Sequence, residues 1–294
     1  MSEAAIELRD ITSLEACRAV VAVQESVWGR DGETVPASVL FVSMKRGGIL
    51  IGAYRGDELV GFVWSLRGVR DGLATHWSHM LGVTPAWRHQ GLAERLKWAQ
   101  RARALVAGVD LIEWTFDPLQ APNAHFNLHV LGAVGAGYAE NVYGALAGPL
   151  HRGTPTDRLM VEWWIGEPHV AGRLSRRKTA DARLTVRAPG VFDAPDAMQT
   201  TVRGAWMHVA AAHADLAAPR IRVSIPPMFS EMQREETEIA LAWRHATRNV
   251  MTSLFARGYR AVDFQINREA GGGAYLFESK GQTGVRPGSD GGQT

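Results

Sequence analysis

The residues with the plainest chemical potential lie in "GVTPAWRHQGLAERL" (82–96), where Arg88, Gly91 and Ala93 follow the spacing R-x-x-G-x-A into a charged amphipathic run. If that run is a helix, its first turn carries backbone N–H groups without intrahelical partners and a partial positive charge. An anion docked there meets several donors at once. Gly91 allows close approach, Ala93 keeps the next inward position small, and Arg88 and His89 add positive character at the rim. Phosphate is the ligand such a turn suits. No G-x-G-x-x-G or Walker pattern offers a second phosphate site, and "GGG" at 271–273 falls in a hairpin and not before a helix. Histidines form the other constellation. His125 and His129 are spaced i, i+4, and with His76, His79 and Asp117 they could assemble a metal site from neutral imidazoles and a carboxylate. "HFNLH" lacks the glutamate of H-E-x-x-H, and His76 and His79 fall on opposite strand faces, so no metal is expected.

Composition sets the surroundings. The 294 residues are 46% hydrophobic and 21% charged with a net charge of +2, which describes a globular protein without the basic excess of a nucleic-acid binder. No apolar run is long enough to span a bilayer, and "MSEAAIELRD" lacks the basic start and apolar stretch of a signal peptide. A cytoplasmic protein is the expectation. The single cysteine, Cys17, excludes an intramolecular disulfide. It stands in the helical series Ala16, Val20, Val23 and Val27, as a buried structural thiol would.

The anion-binding turn must be held by a strand before it and a helix after it. Apolar alternation predicts strands at 5–11, 48–56, 58–69, 74–83 and 111–118, and helical periodicity predicts helices at 13–28, 35–45 and 91–107. In the last helix Leu92, Leu96, Ala99, Ala102 and Val106 form the apolar face, with Glu94, Arg95, Lys97, Gln100, Arg101 and Arg103 directed away from it. A short helix at 121–132 and strands near 133–143 and 157–166 follow. From 167 to 219 the pattern weakens to a connecting segment with a helix at 204–216. A compact α/β unit at 220–280 then shows a strand at 220–226, a long helix at 231–257 opened by the capping box "SEMQ", and strands at 259–266 and 274–279. The tail, 281–294, reads as disordered.

This order of elements over about 5–166 resembles the GNAT acyltransferase superfamily. "LGVTPAWRHQGLAERL" is similar to its pyrophosphate-binding motif and "FNLHVLGA" to the end of its penultimate helix. "EWTFDPLQAPNAHFNLHVLGA", "NVYG" and "GYRAVDF" extend the resemblance over nearly the whole chain, to a bacterial group of GNAT acyltransferases one relative of which is thought to succinylate amino acids. The resemblance implies a mixed α/β (α+β) GNAT-like acyltransferase fold with a C-terminal strand-helix-hairpin extension, readable as a partial repeat. It implies acetyl-CoA or another acyl-CoA as co-substrate, with Arg88, His89, Gln90, Gly91, Leu92, Ala93 and Glu94 at the pyrophosphate. The main chain of Leu81 and Val83 would pair with the pantetheine arm, and the strands around 74–83 and 111–117 would splay apart to receive the thioester. The acceptor would be a small amine or amino acid. Neither nucleic acid nor membrane is implied as a partner, and the oligomeric state stays open, a homodimer included.

Two positions depart from the superfamily pattern. Its carboxylate base corresponds to Trp77 and its tyrosine acid to Leu128, and neither side chain can move a proton. His79, on the strand face of Trp77 and with an ordinary pKa near about 6.5, is the preferred base, with Asp117 and Glu113 as alternatives. Tyr143 is the candidate acid, ahead of Tyr138. A carboxylate on the acceptor would call for a guanidinium, which Arg152 or Arg158 could supply. A CoA-binding module without catalysis, and less favourably a histidine metalloenzyme, are the competing readings.

Overall fold

The computed structural model describes residues 5–29, 34–144, 153–178, 190–267 and 272–279. Expectations that fall elsewhere, among them Arg152 and the tail, lie outside the described residues. The chain divides into two units. Unit 1 comprises Met1–Trp114 and Trp164–Glu167, and unit 2 comprises Thr115–Trp163 and Pro168–Thr294.

Unit 1 is a mixed sheet with helices on both faces. Strands β1 (Ile6–Asp10), β2 (Ile49–Arg55), β3 (Glu58–Arg70), β4 (Leu73–Val83) and β5 (Leu111–Phe116) lie in chain order. The first four pair antiparallel, whereas β4 and β5 run parallel. Two-residue turns make the meander, and at β3–β4 both Asp71 (φ 51°) and Gly72 (φ 78°) take the left-handed conformation that such hairpins require. Helix α1 (Leu14–Trp28) begins where the Ser13 hydroxyl accepts from the Ala16 N–H at 3.1 Å. It packs with α2 (Ala37–Lys45) around Cys17, Val20, Leu40, Phe62 and Trp64, so Cys17 is the buried thiol its spacing suggested.

Alternation along β3 turns Val63 and Ser65 to the opposite face, where α3 (Leu92–Val106) lies. The side of α3 that packs differs from the expected one. Leu92, Leu96, Trp98 and Ala104 are buried, and so are Lys97 and Gln100, whereas Val106 is 91% exposed. The face that sequence assigned to solvent therefore carries the polar groups of the interior.

Unit 2 has strands β6 (Val134–Ala139), β7 (Arg158–Trp164), β8 (Met198–Arg203), β9 (Trp206–Ala212), β10 (Arg220–Ile225), β11 (Arg260–Ile266) and β12 (Gly273–Glu278). β7, β6, β11, β12 and β10 are neighbours in that order, and β8–β9 form a separate hairpin. β6 approaches β11 closely at Gly135, where a Cβ would stand 2.8 Å from that of Ala261. The helix expected at 204–216 is strand β9. It pairs antiparallel with β8, and Trp243 fixes it by donating to the Met207 carbonyl at 2.7 Å. Helix α5 (Pro168–Lys178) also falls within the segment read as a connector. The long C-terminal helix is broken into α6 (Phe229–Glu235) and α7 (Thr237–Ala256) at Glu236, whose φ is −141°. Met228, in the left-handed conformation, precedes α6, and no side chain caps it, so "SEMQ" does not form the expected box. The short helix is α4 (Ala121–Ala124) running into a π-helical turn, His125–Val130.

Candidate acyl-CoA site

The chain leaves β4 at Val83 and reaches α3 through a single 3₁₀ turn, Pro85–Trp87. Arg88 is extended, His89 has φ 63°, and Gly91, with φ 71° and ψ 10°, is the residue before the helix. No side chain caps α3, and its first closing bond runs from the Arg95 N–H to the Gly91 carbonyl at 3.1 Å. The first-turn N–H groups thus have no intrahelical acceptor and stand at a positive helix end. A Cβ built on Gly91 would meet nothing within 4 Å. Glycine suits the left-handed backbone there, and among the described residues no protein atom fills the space beside it.

Two side chains of the turn are committed elsewhere. The Arg88 Nε donates to the Val83 carbonyl at 3.3 Å, and the Gln90 Nε2 donates to the Ala86 carbonyl at 3.2 Å. Both brace the loop from within.

The edge of β4 leads directly into this cradle. The Thr84 N–H donates to the Val60 carbonyl at 3.0 Å, and the register continues Gly61↔Val83, Phe62↔Gly82, Val63↔Leu81. In an antiparallel ladder every second pair exchanges hydrogen bonds, so the N–H and C=O of Leu81 and Val83 point away from β3. β5 does not take them. It pairs with β4 only through Thr75↔Leu111, His76↔Ile112 and Trp77↔Glu113. Past that rung a bulge inserts His79, since Ser65 pairs with Ser78 but Trp64 with Met80, and bulges turn a strand aside. The result is a strand edge that presents the main-chain groups of Leu81 and the N–H of Val83, whose carbonyl also accepts from the Arg88 Nε, opening from the end of the β4–β5 pairing.

His79 is solvent-accessible at that bulge, its ring edge-on to Trp64 with centroids 5.1 Å apart. Partial burial lowers its pKa below the ordinary histidine value. Register places Trp77 and Glu113 side by side, and Glu113 is ion-paired with Arg70. His76, on the opposite face, is fully buried, with its Nδ1 3.1 Å from the Ser65 hydroxyl, and burial lowers its pKa to about 4.

The remaining candidates belong to unit 2. Asp117 receives a two-pronged bond from Arg244 at 2.7 and 2.8 Å and also accepts the Leu119 N–H at 2.9 Å. Arg244 is fully buried. Tyr143 is 49% exposed and lies beneath the Arg158 guanidinium, 5.7 Å from its ring centroid. Arg158 donates to the Thr115 hydroxyl at 3.2 Å and to the Thr115 carbonyl at 3.0 Å. Tyr138 donates to Asp157, and burial raises its pKa far above that of a free phenol. Leu128 is fully buried. His125 and His129 stack with centroids 4.8 Å apart, and the His129 Nδ1 is 2.9 Å from an Asp263 oxygen. Among the described residues no three of His, Cys, Asp and Glu gather as a metal would need.

Sequence reasoning missed Lys97, Ser78 and Gln100 in unit 1 and Arg244 in unit 2. A signal for the first group was present: Ala93, Lys97, Gln100 and Ala104 follow one another at helical spacing, small residues bracketing two polar ones. Arg244 sits beside Trp243 on α7 and carries no comparable mark.

No family model and no curated protein matches this sequence. Solved structures do show likeness to part of the chain. The ribosomal-protein-S18-alanine N-acetyltransferase of Escherichia coli is 13% identical, with 55% of this chain and 96% of that chain covered and a TM-score of 0.43. A GNAT-family acetyltransferase of Streptococcus pneumoniae is 15% identical, covering 54% and 98%, with a TM-score of 0.43. The PaiA N-acetyltransferase of Thermoplasma acidophilum, solved with coenzyme A, is 13% identical, covering 54% and 98%, with a TM-score of 0.39.

Proposed function

We propose that this protein is an acyl-CoA-dependent N-acyltransferase of the GNAT type, transferring an acetyl or other acyl group, succinyl included, to a small amine such as an amino acid. The observation that carries the reading is the continuity of the Leu81–Val83 strand edge with the uncapped turn of residues 89–94. An extended amide-bearing arm ending in a diphosphate is the ligand that such a run of main-chain donors and acceptors fits. Leu81 and Val83 would pair with the arm, and the N–H groups of His89, Gln90, Gly91, Leu92, Ala93 and Glu94 would hold the diphosphate, with Arg88 bracing the turn.

An amine substrate arrives as an ammonium ion and must lose a proton before it can attack a thioester. His79 is the group for that step. Its lowered pKa keeps it neutral at physiological pH, and its exposure lets it pass the proton on to solvent. Glu113 is less available as a base because its carboxylate is ion-paired with Arg70. Asp117 is engaged by Arg244 in the same way. Tyr143 is the candidate donor in unit 2. Arg158, whose Nε and Nη2 donate to the neutral oxygens of Thr115, is the guanidinium suited to an acceptor carboxylate.

The engagement of both carboxylates by arginines also favours a second reading, a CoA-binding module without transferase activity. A thiol-release assay with acetyl-, succinyl- and longer acyl-CoAs against amines and amino acids separates the two. Transfer to any amine supports the enzyme. Thermal stabilisation by acyl-CoA without transfer supports the module, and no stabilisation at millimolar ligand removes both.

A further inference from the structure

Lys97 is 2% exposed, yet sequence periodicity turned it to solvent. Its amine lies 3.0 Å from the Ser78 hydroxyl, 2.8 Å from the Gln100 Oε1 and 3.8 Å from the centroid of the Trp114 ring. Ser78 and Trp114 are the first residues of β4 and β5 beyond their last rung, Trp77↔Glu113. The amine therefore sits where the two strands begin to part, in contact with both. Ser78 in turn donates to the Gln100 Oε1 at 3.1 Å, so hydroxyl, amine and amide form one closed set of hydrogen bonds at the head of the opening.

We infer that Ser78 and Lys97 are the proton-transfer pair of the acyl-transfer step, with the Ser78 hydroxyl meeting the reacting atoms and Lys97 acting through it. This rests on the acyltransferase reading and deepens it, by assigning within unit 1 a donor for the departing sulfur in place of Tyr143. When the neutral amine attacks the thioester carbonyl, a C–N bond forms and the C–S bond breaks with its electron pair on sulfur. The new amide nitrogen then carries one proton too many. Ser78 accepts it while its own proton moves to the Lys97 amine, and the reverse transfer delivers a proton to the thiolate. Ser78 and Lys97 end as they began, and one proton has passed from nitrogen to sulfur.

Such a relay needs Lys97 to start uncharged. Complete burial depresses its pKa well below the usual lysine value, in the direction of that state. Of the groups facing the pair, His76 shares the face of Ser78 and is held neutral by burial and by the Arg67 charge, while Gln100 and Trp114 do not titrate.

The chain has four lysines, Lys45, Lys97, Lys178 and Lys280, so selective ¹³Cε-lysine labelling gives four resolvable NMR titrations. One signal, absent from Lys97→Met, should titrate far below the others and shift when CoA is added. Four coincident titrations near about 10.4 overturn the inference. In the thiol-release assay Lys97→Met and Ser78→Ala should each lower kcat by roughly 100-fold with little change in the KM for acyl-CoA, and Ser78→Thr, which keeps the hydroxyl, should restore most of it. Wild-type turnover in Lys97→Met or Ser78→Ala refutes the relay while leaving the acyltransferase intact. A wild type that binds acyl-CoA but transfers to no amine removes both. If Lys97→Met does not fold, the titration of the wild-type protein decides alone.

Discussion

Replacing Gly91 tests whether the turn before α3 is a diphosphate cradle, and the structure separates two effects of doing so. The backbone there has φ 71°, which costs an ordinary L-residue about 1–2 kcal/mol and asparagine less. No protein atom lies within 4 Å of a Cβ at this position, so no clash adds to that cost. Gly91→Val should therefore fold, with a melting temperature lowered by several degrees at about 2–4 °C per kcal/mol. Gly91→Asn should melt close to the wild type. Both place a side chain in the space where an anion would meet the first-turn N–H groups. Loss of one charge-assisted hydrogen bond, at about 1.5–3 kcal/mol, weakens binding roughly 10- to 150-fold. Isothermal titration of CoA into the three proteins should show both variants impaired by at least about tenfold. Strain alone would affect the valine variant only. Affinities within about twofold of wild type in both variants would refute the cradle, whatever the melting temperatures.

His79→Ala should lower kcat by about 100-fold or more at neutral pH with CoA affinity unchanged, and the wild-type kcat/KM should rise with pH to a plateau, with its midpoint below the ordinary histidine value, since the imidazole is active when neutral and burial lowers its pKa. A plateau that persists in His79→Ala would exclude the assignment. His76 should make stability depend on acid: its folded pKa of about 4 lies below the unfolded value near 6.5, so the unfolded chain binds the extra proton between those values. Stability is full above about 6.5 and falls as pH drops toward 4, by roughly 3 kcal/mol in urea melts, a slope that His76→Asn should reduce. In unit 2, Arg244→Met should destabilise by about 3–5 kcal/mol because it leaves the Asp117 carboxylate without its two-pronged partner, and Arg244→Met with Asp117→Leu should recover most of the loss. Additive losses in that double variant would mean the pair does not act as a unit.

The parts of the fold that were legible share a property: their pattern is local. Strands β1–β5 and helices α1–α3 were marked by alternation and periodicity, and the turn at Gly91 by a glycine whose conformation the structure requires. Residues 204–216 misled because alanine-rich "AWMHVAAAHADLA" has high helix propensity, while the hairpin with β8 and the Trp243 hydrogen bond to Met207 decide the strand from outside the segment. α3 shows the same limit at the site itself. Counting charges assigned Lys97 and Gln100 to water, but a helix over a parting pair of strands buries whichever face meets the gap, and that gap has polar edges to satisfy. A bulge at His79 and three rungs of β4–β5 pairing create it. Neither can be read from one strand, since the bulge depends on β3 and the rungs on β5. The turn proposed to hold an anion is thus written in a dozen consecutive residues, whereas the groups proposed to handle protons become visible only when β4, β5 and α3 are placed together. A polar residue bracketed by small ones on a helix that follows an anion-binding turn is accordingly a candidate for chemistry before it is a candidate for solvent.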